Sequence, residues 1–304
     1  MTSSPHTILA AVDFSTGAHS ALRQAASMAI RQKARLHVLH VIDSDAVSSL
    51  ADQRGEPFDS ASRTAVEGAR KALDQWLARV PLPQGHEVTL VVGHPLHEIL
   101  QHAKHLHADL LVAGITGAGD HPAGAGSVSA KLARKAAANV LLVRAGHDAP
   151  FAKIVACLDF STHSAHVAEA ARDFAFADGK LVDFLHVWAD PGALLGVMAP
   201  FGEPGLSMPA GAMPTREEQV ARLQHQLHQE VRDSATGIPT QESLHEDRNV
   251  GRGIADHAQA AGADLIVIGA RGRSNLAYLL LGSTAERVLT RLPCSVLVVR
   301  SRED

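Results

Sequence analysis

The chain has 304 residues, of which 46 % are hydrophobic and 20 % are charged, and its formal net charge is −4 at pH 7. This length predicts two domains, each large enough to bury its own core, and the charge gives no electrostatic reason to expect nucleic acid. No apolar run approaches the roughly 20 residues that cross a bilayer, and the N-terminus lacks a basic segment followed by an apolar run. We therefore expect a cytoplasmic protein that binds neither nucleic acid nor membrane.

The chain contains one pattern twice. TILAAVDFST near the start is matched by AKIVACLDFST, which puts Asp13 and Asp159 at equivalent positions, 146 residues apart. A helical stretch and a strand ending in His-Val follow each motif, and each half closes with a strand, a glycine cluster, a helix and a last strand. Such self-similarity indicates a tandem repeat. We place the domains at residues 1–148 and 149–304, with the join near Gly146 to Pro150, where AGHDAP interrupts the pattern.

Short apolar runs alternate with longer helical patterns in both halves. This alternation is typical of βαβ units and predicts an α/β fold with two repeated, doubly wound, five-stranded parallel sheets. The predicted strands of the first half are Thr7 to Val12, Arg35 to Ile42, Glu87 to Val92, Asp109 to Ala113 and Val140 to Val143. Its predicted helices are Ala18 to Lys33, Arg63 to Val80, Leu96 to Leu106 and Val128 to Ala137. The predicted strands of the second half are Lys153 to Leu158, Lys180 to Val187, Thr240 to Leu244, Leu265 to Ile268 and Val296 to Val299.

The segment Trp188 to Pro214 has no counterpart in the first half. It is dense in Pro, Gly and Met and has neither helical nor alternating periodicity, so we predict a long loop. Such a loop either covers a ligand site or packs on its own domain or a partner, and the second interpretation is the more common one.

Ligands of open parallel sheets bind outside the carboxyl ends of the strands, where the strand order reverses. In the second half this rule selects Asp159 after the first strand and the Gly269 to Gly272 cluster after the fourth. From Gly272 the chain runs nine residues to Gly282-Ser283-Thr284, where a helix begins. Glycines let the backbone approach phosphate oxygens, and a helix N-terminus supplies free N–H donors. The spacing predicts a triphosphate cradle; the alternative is that these glycines only permit tight turns.

GARGRSNLAYLLLGST resembles the Gly-x2-Gly-x9-Gly-Ser/Thr signature of the universal stress protein family, and the resemblance extends over both halves. It implies an adenine nucleotide alpha hydrolase-like, Rossmann-like fold that holds ATP with Mg²⁺. Carried over to this sequence, it implies that Asp159 approaches the ribose or adenine and that backbone groups of Val187 meet the base. It further implies that Arg271 adds a cation beside the phosphates. The residues that it implies wrap the phosphates are Gly269, Gly272, Gly282, Ser283 and Thr284.

The first half departs from this signature. Only eight residues separate Gly117 from Gly126, and Asp120 brings negative charge to the loop. A shorter loop misaligns donors around a phosphate chain, so we expect weak or absent nucleotide binding in this half. The equivalent positions are Asp13, Val41, Gly114, Gly117, Gly126 and Ser127.

Other chemistry has weaker support. The chain has no P-loop, dinucleotide-fold glycine motif or nucleophile elbow, so we expect at most slow ATP hydrolysis. Glu98, His102 and His105 fall on one helical face and are weak zinc candidates, but a solvated face is the simpler interpretation because no fourth ligand is evident. Cys157 and Cys294 lie in strand-like runs and are expected to fill the core.

The leading hypothesis is thus an ATP-binding universal stress protein in which nucleotide occupancy of the second domain is a stress-response signal. The alternative is a structural or interaction module whose halves pair through their last strands and whose pocket takes no nucleotide. A fused pair reproduces inside one chain the two-fold contact that single-domain relatives make between chains, and we expect a further homodimer. The sequence does not identify the protein partner.

Overall fold

The computed structural model describes residues 6–116, 126–176, 180–190, 214–272 and 281–300. Within these ranges the strands are β1 (Thr7–Val12), β2 (Arg35–Asp43), β3 (Glu87–Gly93), β4 (Leu110–Gly114), β5 (Asn139–Val143), β6 (Lys153–Cys157), β7 (Leu181–Trp188), β8 (Thr240–Glu246), β9 (Leu265–Gly269) and β10 (Ser295–Val299). The helices are α1 (Thr16–Gln32), α2 (Ser44–Arg54), α3 (Phe58–Leu77), α4 (Pro95–His105), α5 (Ser127–Lys135), α6 (Ser164–Phe176), α7 (Arg216–Ser234), α8 (Val250–Ala261) and α9 (Ser283–Arg291). No helix in the described ranges combines the length and the apolar character needed to span a membrane.

All ten strands form one continuous sheet in the order β3-β2-β1-β4-β5-β10-β9-β6-β7-β8. Neighbouring strands within each half are parallel, whereas β5 and β10 pair antiparallel with Leu141 opposite Leu297. The predicted α/β fold with two repeated parallel halves is confirmed. The two sheets join edge to edge through their last strands, so an approximate two-fold axis passes between β5 and β10.

Apolar residues cover both faces of the sheet, as expected for parallel strands with helices on either side. Every residue of β1 is buried, and so is every residue of β10. One face packs on a core that includes Leu22 of α1 and Phe184 of β7, and the other on a core that includes Ile254 of α8. The edge strands β3 and β8 are only partly buried.

A reciprocal pair of arginines fastens the two halves. Arg144 follows β5, and its guanidinium donates to the carbonyl oxygen of Pro293, just beyond α9. Arg300 follows β10 and donates to the carbonyl oxygen of Ala133 (2.6 Å), in the last turn of α5. Each arginine thereby satisfies carbonyl groups near the C-terminus of the other half's last helix, where a cation is favoured by the helix dipole.

The structure corrects some of the predicted boundaries. Helix α2 was not predicted, because only Val47 and Ala51 of its residues are buried, where they pack against α3. Helix α3 begins at Phe58 and ends at Leu77, earlier at both ends than the predicted Arg63 to Val80. Trp188 ends β7 and does not belong to the predicted loop, most of which, residues 191–213, lies outside the described residues.

Candidate functional site

A cavity of about 690 Å³ opens at the carboxyl ends of β6, β7 and β9, beside the first turn of α9. Here the strand order reverses, because β6 lies between β9 and β7. Open parallel sheets bind ligands at such a point. All eight residues selected from the second half of the sequence line this cavity: Asp159, Val187, Gly269, Arg271, Gly272, Gly282, Ser283 and Thr284.

The turn after β6 fixes the position of the Asp159 carboxylate. Its Oδ1 accepts hydrogen bonds from the Ser161 amide (3.0 Å) and from the Ser164 hydroxyl (3.0 Å). Phe160 has a φ of 60°, a left-handed conformation that is uncommon for a bulky side chain. Its ring stacks on the imidazole of His186 with 4.1 Å between centroids, which helps to hold the turn in this conformation. The carboxylate is therefore positioned before any ligand arrives.

Gly272 lies directly beside this carboxylate. A Cβ atom at position 272 would lie 2.7 Å from Asp159 Oδ2, inside van der Waals contact distance. Because Asp159 is already held through Oδ1, its carboxylate cannot move aside without loss of those hydrogen bonds. The glycine after β9 thus allows its loop to pass directly over the acidic turn after β6.

The first turn of α9 faces the cavity without a side-chain cap. Gly282 is the N-cap residue and has no side chain to accept the amide hydrogens of the first turn. Its own amide donates to the carbonyl oxygen of Ala270 (2.7 Å), which holds the start of the helix against the loop after β9. N-cap side chains accept such hydrogens at α1, α2, α7 and α8, whereas α3, α4 and α5 also lack a side-chain cap. The uncapped turn therefore presents N–H groups and the positive end of the helix dipole to the cavity.

Helix α7 contributes part of the wall, which the sequence did not predict. Gln219, Arg222 and Leu223 of this helix line the cavity together with Trp188 at the end of β7. The Arg216 guanidinium lies over the Trp188 ring, 5.9 Å from its centroid. No motif marks these residues, because helix α7 follows the segment without a counterpart and comes to the cavity only through the fold.

Both cysteines are free, and both lie in or beside the core, as the sequence analysis expected. Cys157 ends β6 and lines the cavity, and burial raises the pKa of its thiol far above the usual range, with smaller contributions from Cys294 and Asp183. Burial likewise raises the pKa of Cys294 to about 12. Neither thiol is a thiolate at neutral pH, so neither is an activated nucleophile.

The first half keeps the acidic turn, and its first helix lies close to the end of β4. Asp13 Oδ1 accepts from the Ser15 amide (3.1 Å). A Cβ atom at Gly17 would lie 2.8 Å from the Thr116 carbonyl oxygen, and one at Gly114 would lie 2.7 Å from the Gly17 carbonyl carbon. The backbone of α1 therefore touches the backbone at the end of β4. The equivalent of Gly17 is His163, whose side chain prevents such an approach and lines the open cavity.

The remaining first-half positions occupy the equivalent places. Val41 lies near the end of β2 and is partly buried. Gly126 is the N-cap of α5, its amide donates to the Ile115 carbonyl oxygen (2.8 Å), and Ser127 begins the helix. Gly117 lies outside the described residues, as does the shortened loop with Asp120.

The histidine-rich helix α4 does not assemble a three-ligand group. The His102 Nδ1–H donates to the Glu98 carbonyl oxygen (2.8 Å), and its distance to Glu98 Oε2 is 3.8 Å. Among the described residues, the ligand atoms that lie close enough to share one ion belong to Asp43, Asp45 and His94, which are all exposed. His105 does not join Glu98 and His102 in such a group, so this geometry favours a solvated helix face.

The sequence matches a known family along both halves. The model described as "Universal stress protein family" matches residues 5–144 and 150–300. A Thermus aquaticus protein, "Universal stress protein in QAH/OAS sulfhydrylase 3'region", is 29 % identical over 150 residues, which cover 49 % of this chain and 99 % of that protein. Universal stress protein YxiE of Bacillus subtilis is 26 % identical over 155 residues and covers 49 % of this chain and 99 % of its own length. Each relative therefore corresponds to about half of this chain.

Solved structures extend the likeness to the whole tandem fold. A universal stress protein from Archaeoglobus fulgidus has a TM-score of 0.63 and 19 % identity, with 99 % of this chain and 98 % of that chain covered. The functionally unknown protein PA1789 from Pseudomonas aeruginosa has a TM-score of 0.66 and 19 % identity, with 99 % and 94 % covered. At 19 % identity these structures establish the fold alone, whereas the family model establishes family membership from the sequence. With one match in each half, the chain belongs to the universal stress protein family, as a tandem member.

Proposed function

We propose that the second half binds ATP with Mg²⁺ and that occupancy of this site is the protein's signal. The observation that carries the proposal is the convergence of the eight selected residues on one cavity at the switch point of the sheet. They come from the ends of three strands, from the loop after β9 and from the start of α9, so the fold brings together segments that are far apart in the chain.

The phosphate end of the ligand belongs at α9. The first-turn amides there have no side-chain cap, and the hydroxyls of Ser283 and Thr284 stand beside them. Anions are stabilised at such a terminus by hydrogen bonds and by the helix dipole. Arg271 lines the same cavity and adds positive charge. Mg²⁺ suits this arrangement as an ion carried on phosphate oxygens and water, which is its usual coordination in nucleotide sites.

The sugar end belongs at Asp159. A carboxylate accepts hydrogen bonds and donates none, so it suits the hydroxyl groups of a ribose. Because the Asp159 carboxylate is held in place by its own turn, little ordering of this side chain opposes binding. The wall that Val187, Leu185 and Ile254 form beside it is apolar and suits a planar base.

We propose that the first half does not bind nucleotide. The close approach of Gly17 to Thr116 and Gly114 supports this proposal, because it brings α1 against the end of β4 beside Asp13. The first half instead supports the second through the joint, where Arg134 of α5 pairs with Glu286 of α9 (2.9 Å). Occupancy at the start of α9 is thereby connected to the first half, which supplies a route by which binding reaches a partner surface.

The alternative, an interaction module, requires the two halves to pair through their last strands, and the antiparallel pairing of β5 with β10 supports it. Calorimetric titration of nucleotide-stripped protein with ATP and Mg²⁺ separates the two functions. We expect one site per chain, lost in Gly282→Val, whose Cβ would lie 3.3 Å from the Ala270 carbonyl oxygen and whose methyl groups would reach further. Absence of binding in the unmodified protein would leave the interaction module. Light scattering with and without ATP tests the expected homodimer and any dependence of assembly on the nucleotide.

A further inference from the structure

A buried amide side chain lies at one end of the cavity. Gln219, in the first turn of α7, is 9 % exposed and lines the cavity. Arg216, three residues earlier on the same face of the helix, lies over the ring of Trp188 at the end of β7. Gln219 therefore stands beside the end of β7, where Val187 precedes Trp188 and where the proposed function puts the base.

The start of α7 is held in place by contacts of its own. Thr215 Oγ1 accepts the Glu218 amide (3.2 Å), and Glu218 Oε2 accepts the Thr215 amide (2.8 Å), which together form a capping box. The Arg216 guanidinium also pairs with Glu246 of β8 (2.6 Å). These contacts fix the helix against β7 and β8, so Gln219 has a defined place in the cavity wall.

One hydrogen bond sets the orientation of the Gln219 amide. Its Nε2 donates to the Pro214 carbonyl oxygen (3.2 Å). A carbonyl oxygen only accepts, so the amide cannot turn around without loss of this bond, and Oε1 is the atom left for a ligand. Oε1 accepts from no group in the part of the chain that the structure describes, and it is not among the fully enclosed atoms without a partner. The wall thus offers a fixed hydrogen-bond acceptor.

An acceptor at this place distinguishes between nucleobases. Adenine has an exocyclic amino group, which donates, whereas guanine and hypoxanthine have a carbonyl oxygen at the same ring position. An amino group supplies the hydrogen for Oε1, but a carbonyl oxygen would bring two acceptors together and leave both without a partner. The neighbouring wall of Leu185, Val187 and Ile254 has apolar side chains, which do not reverse this preference.

Arg222 would select the base in the opposite sense. It lies one turn after Gln219 and also lines the cavity, but its side chain is exposed. A guanidinium only donates, so a base that met Arg222 would be preferred when it carries a carbonyl oxygen. Gln219 is the better match for the base because its amide is buried and held by Pro214, whereas Arg222 has no hydrogen bond or ion pair with the described residues. The sign of the preference therefore tells the two side chains apart.

The first half has no such amide at the equivalent place. Leu73 of α3 corresponds to Leu227 of α7, since both are buried in the same layer of the core. Eight residues before each leucine, Ala65 corresponds to Gln219. The fold therefore does not require an amide at this position, and the amide occurs in the half to which we assign the ligand.

We infer that Gln219 is a specificity-determining residue, which selects a base with an exocyclic amino group through its Oε1 atom. The base that this chemistry selects among the purines is adenine. The inference deepens the proposed function and rests on it, because that function supplies the nucleotide and the end of the cavity where its base lies.

Calorimetric titration with ATP and with inosine triphosphate, each with Mg²⁺, tests the inference. The two ligands have the same ribose and phosphates, but inosine triphosphate has a carbonyl oxygen in place of the amino group. We expect the unmodified protein to bind ATP about 10-fold more tightly, because only ATP donates to Oε1. Equal affinity for the two ligands overturns the inference. Tighter binding of inosine triphosphate also overturns it and would assign the base to Arg222.

Two variants separate recognition of the base from support of the helix. Gln219→Leu and Gln219→Glu both lose the hydrogen bond to Pro214, but only Gln219→Glu keeps an acceptor. We expect Gln219→Leu to bind the two ligands with similar affinity. Gln219→Glu should keep the preference for ATP while it binds both ligands more weakly, because its negative charge opposes a polyanion. A preference for ATP that persists undiminished in Gln219→Leu overturns the inference.

Gln226→Leu is the matched control, because it makes the same change at an exposed position of α7 and should keep the preference for ATP. Failure of the proposed function gives a different result from failure of this inference alone. If neither ligand binds the unmodified protein, the proposed function fails and this inference fails with it. If ATP binds at one site per chain without preference over inosine triphosphate, the proposed function stands and only the role of Gln219 is overturned.

Discussion

Asp159→Ala and Asp13→Ala form a matched pair that separates ligand binding from folding. Both aspartates follow the first strand of their half and accept the amide of the serine two residues later, at 3.0 Å for Ser161 and 3.1 Å for Ser15. Loss of such a bond costs about 1 kcal/mol. We therefore expect Asp13→Ala to melt on the order of 2–4 °C lower than the unmodified protein, and Asp159→Ala, which also loses the hydrogen bond from the Ser164 hydroxyl, to melt about twice as far below it.

Only one of the two changes is expected to weaken nucleotide binding. A hydrogen bond to a charged group contributes about 1.5–3 kcal/mol, and each 1.4 kcal/mol is a factor of ten in affinity. Asp159→Ala should therefore raise the Kd for ATP by about 10- to 100-fold for each ribose hydrogen bond lost, while Asp13→Ala should leave it unchanged. Calorimetry gives the Kd, and a thermal melt confirms that both variants are folded.

Two results would refute the reasoning. Equal affinity in Asp159→Ala and the unmodified protein would mean that the carboxylate does not contact the ligand. A loss of binding in Asp13→Ala as large as that in Asp159→Ala would mean that the first half has a functional site.

Gly272→Ala should abolish ATP binding, because its Cβ would lie 2.7 Å from the held carboxylate oxygen; Gly68→Ala, with nothing within 4 Å, should bind normally in the same titration. Cys157 should resist alkylation at neutral pH in folded protein, since burial raises its thiol pKa; rapid labelling without denaturant would contradict this. The Arg252 hydrogen bond lowers the pKa of Asp247 to about 2, below its unfolded value of about 3.9, so the pair stabilises the fold above pH ~4 and loses this effect as the pH falls towards 2. Arg252→Ala should therefore lower the melting temperature more at neutral pH than near pH 2. An equal decrease at the two pH values would contradict the lowered pKa of Asp247.

Much of this architecture can be predicted from local patterns in the sequence. The repeat of VDFST as LDFST predicts two equivalent turns. The alternation of apolar runs and helical stretches predicts the strand boundaries to within a residue or two. The glycine spacing from Gly269 to Gly282 correctly selects residues that line the cavity. It can do so because glycine itself, through its lack of a side chain, allows the backbone to come close to neighbouring groups. Helix α2 was missed because only Val47 and Ala51 of its residues are buried, which leaves too little apolar periodicity to detect.

The sequence by itself determined that the chain folds as two similar α/β halves and which residues of the second half meet at its switch point. Only the tertiary structure decided how closely the first helix of each half approaches its neighbouring strand. The sequence predicted weak nucleotide binding in the first half from a shortened loop, and the described residues add a second reason for this expectation. Gly17 lets α1 touch the end of β4, and the equivalent residue, His163, has a side chain that prevents the same contact. Such contacts join segments far apart in the chain, and packing of whole elements, rather than any local periodicity, sets their distances.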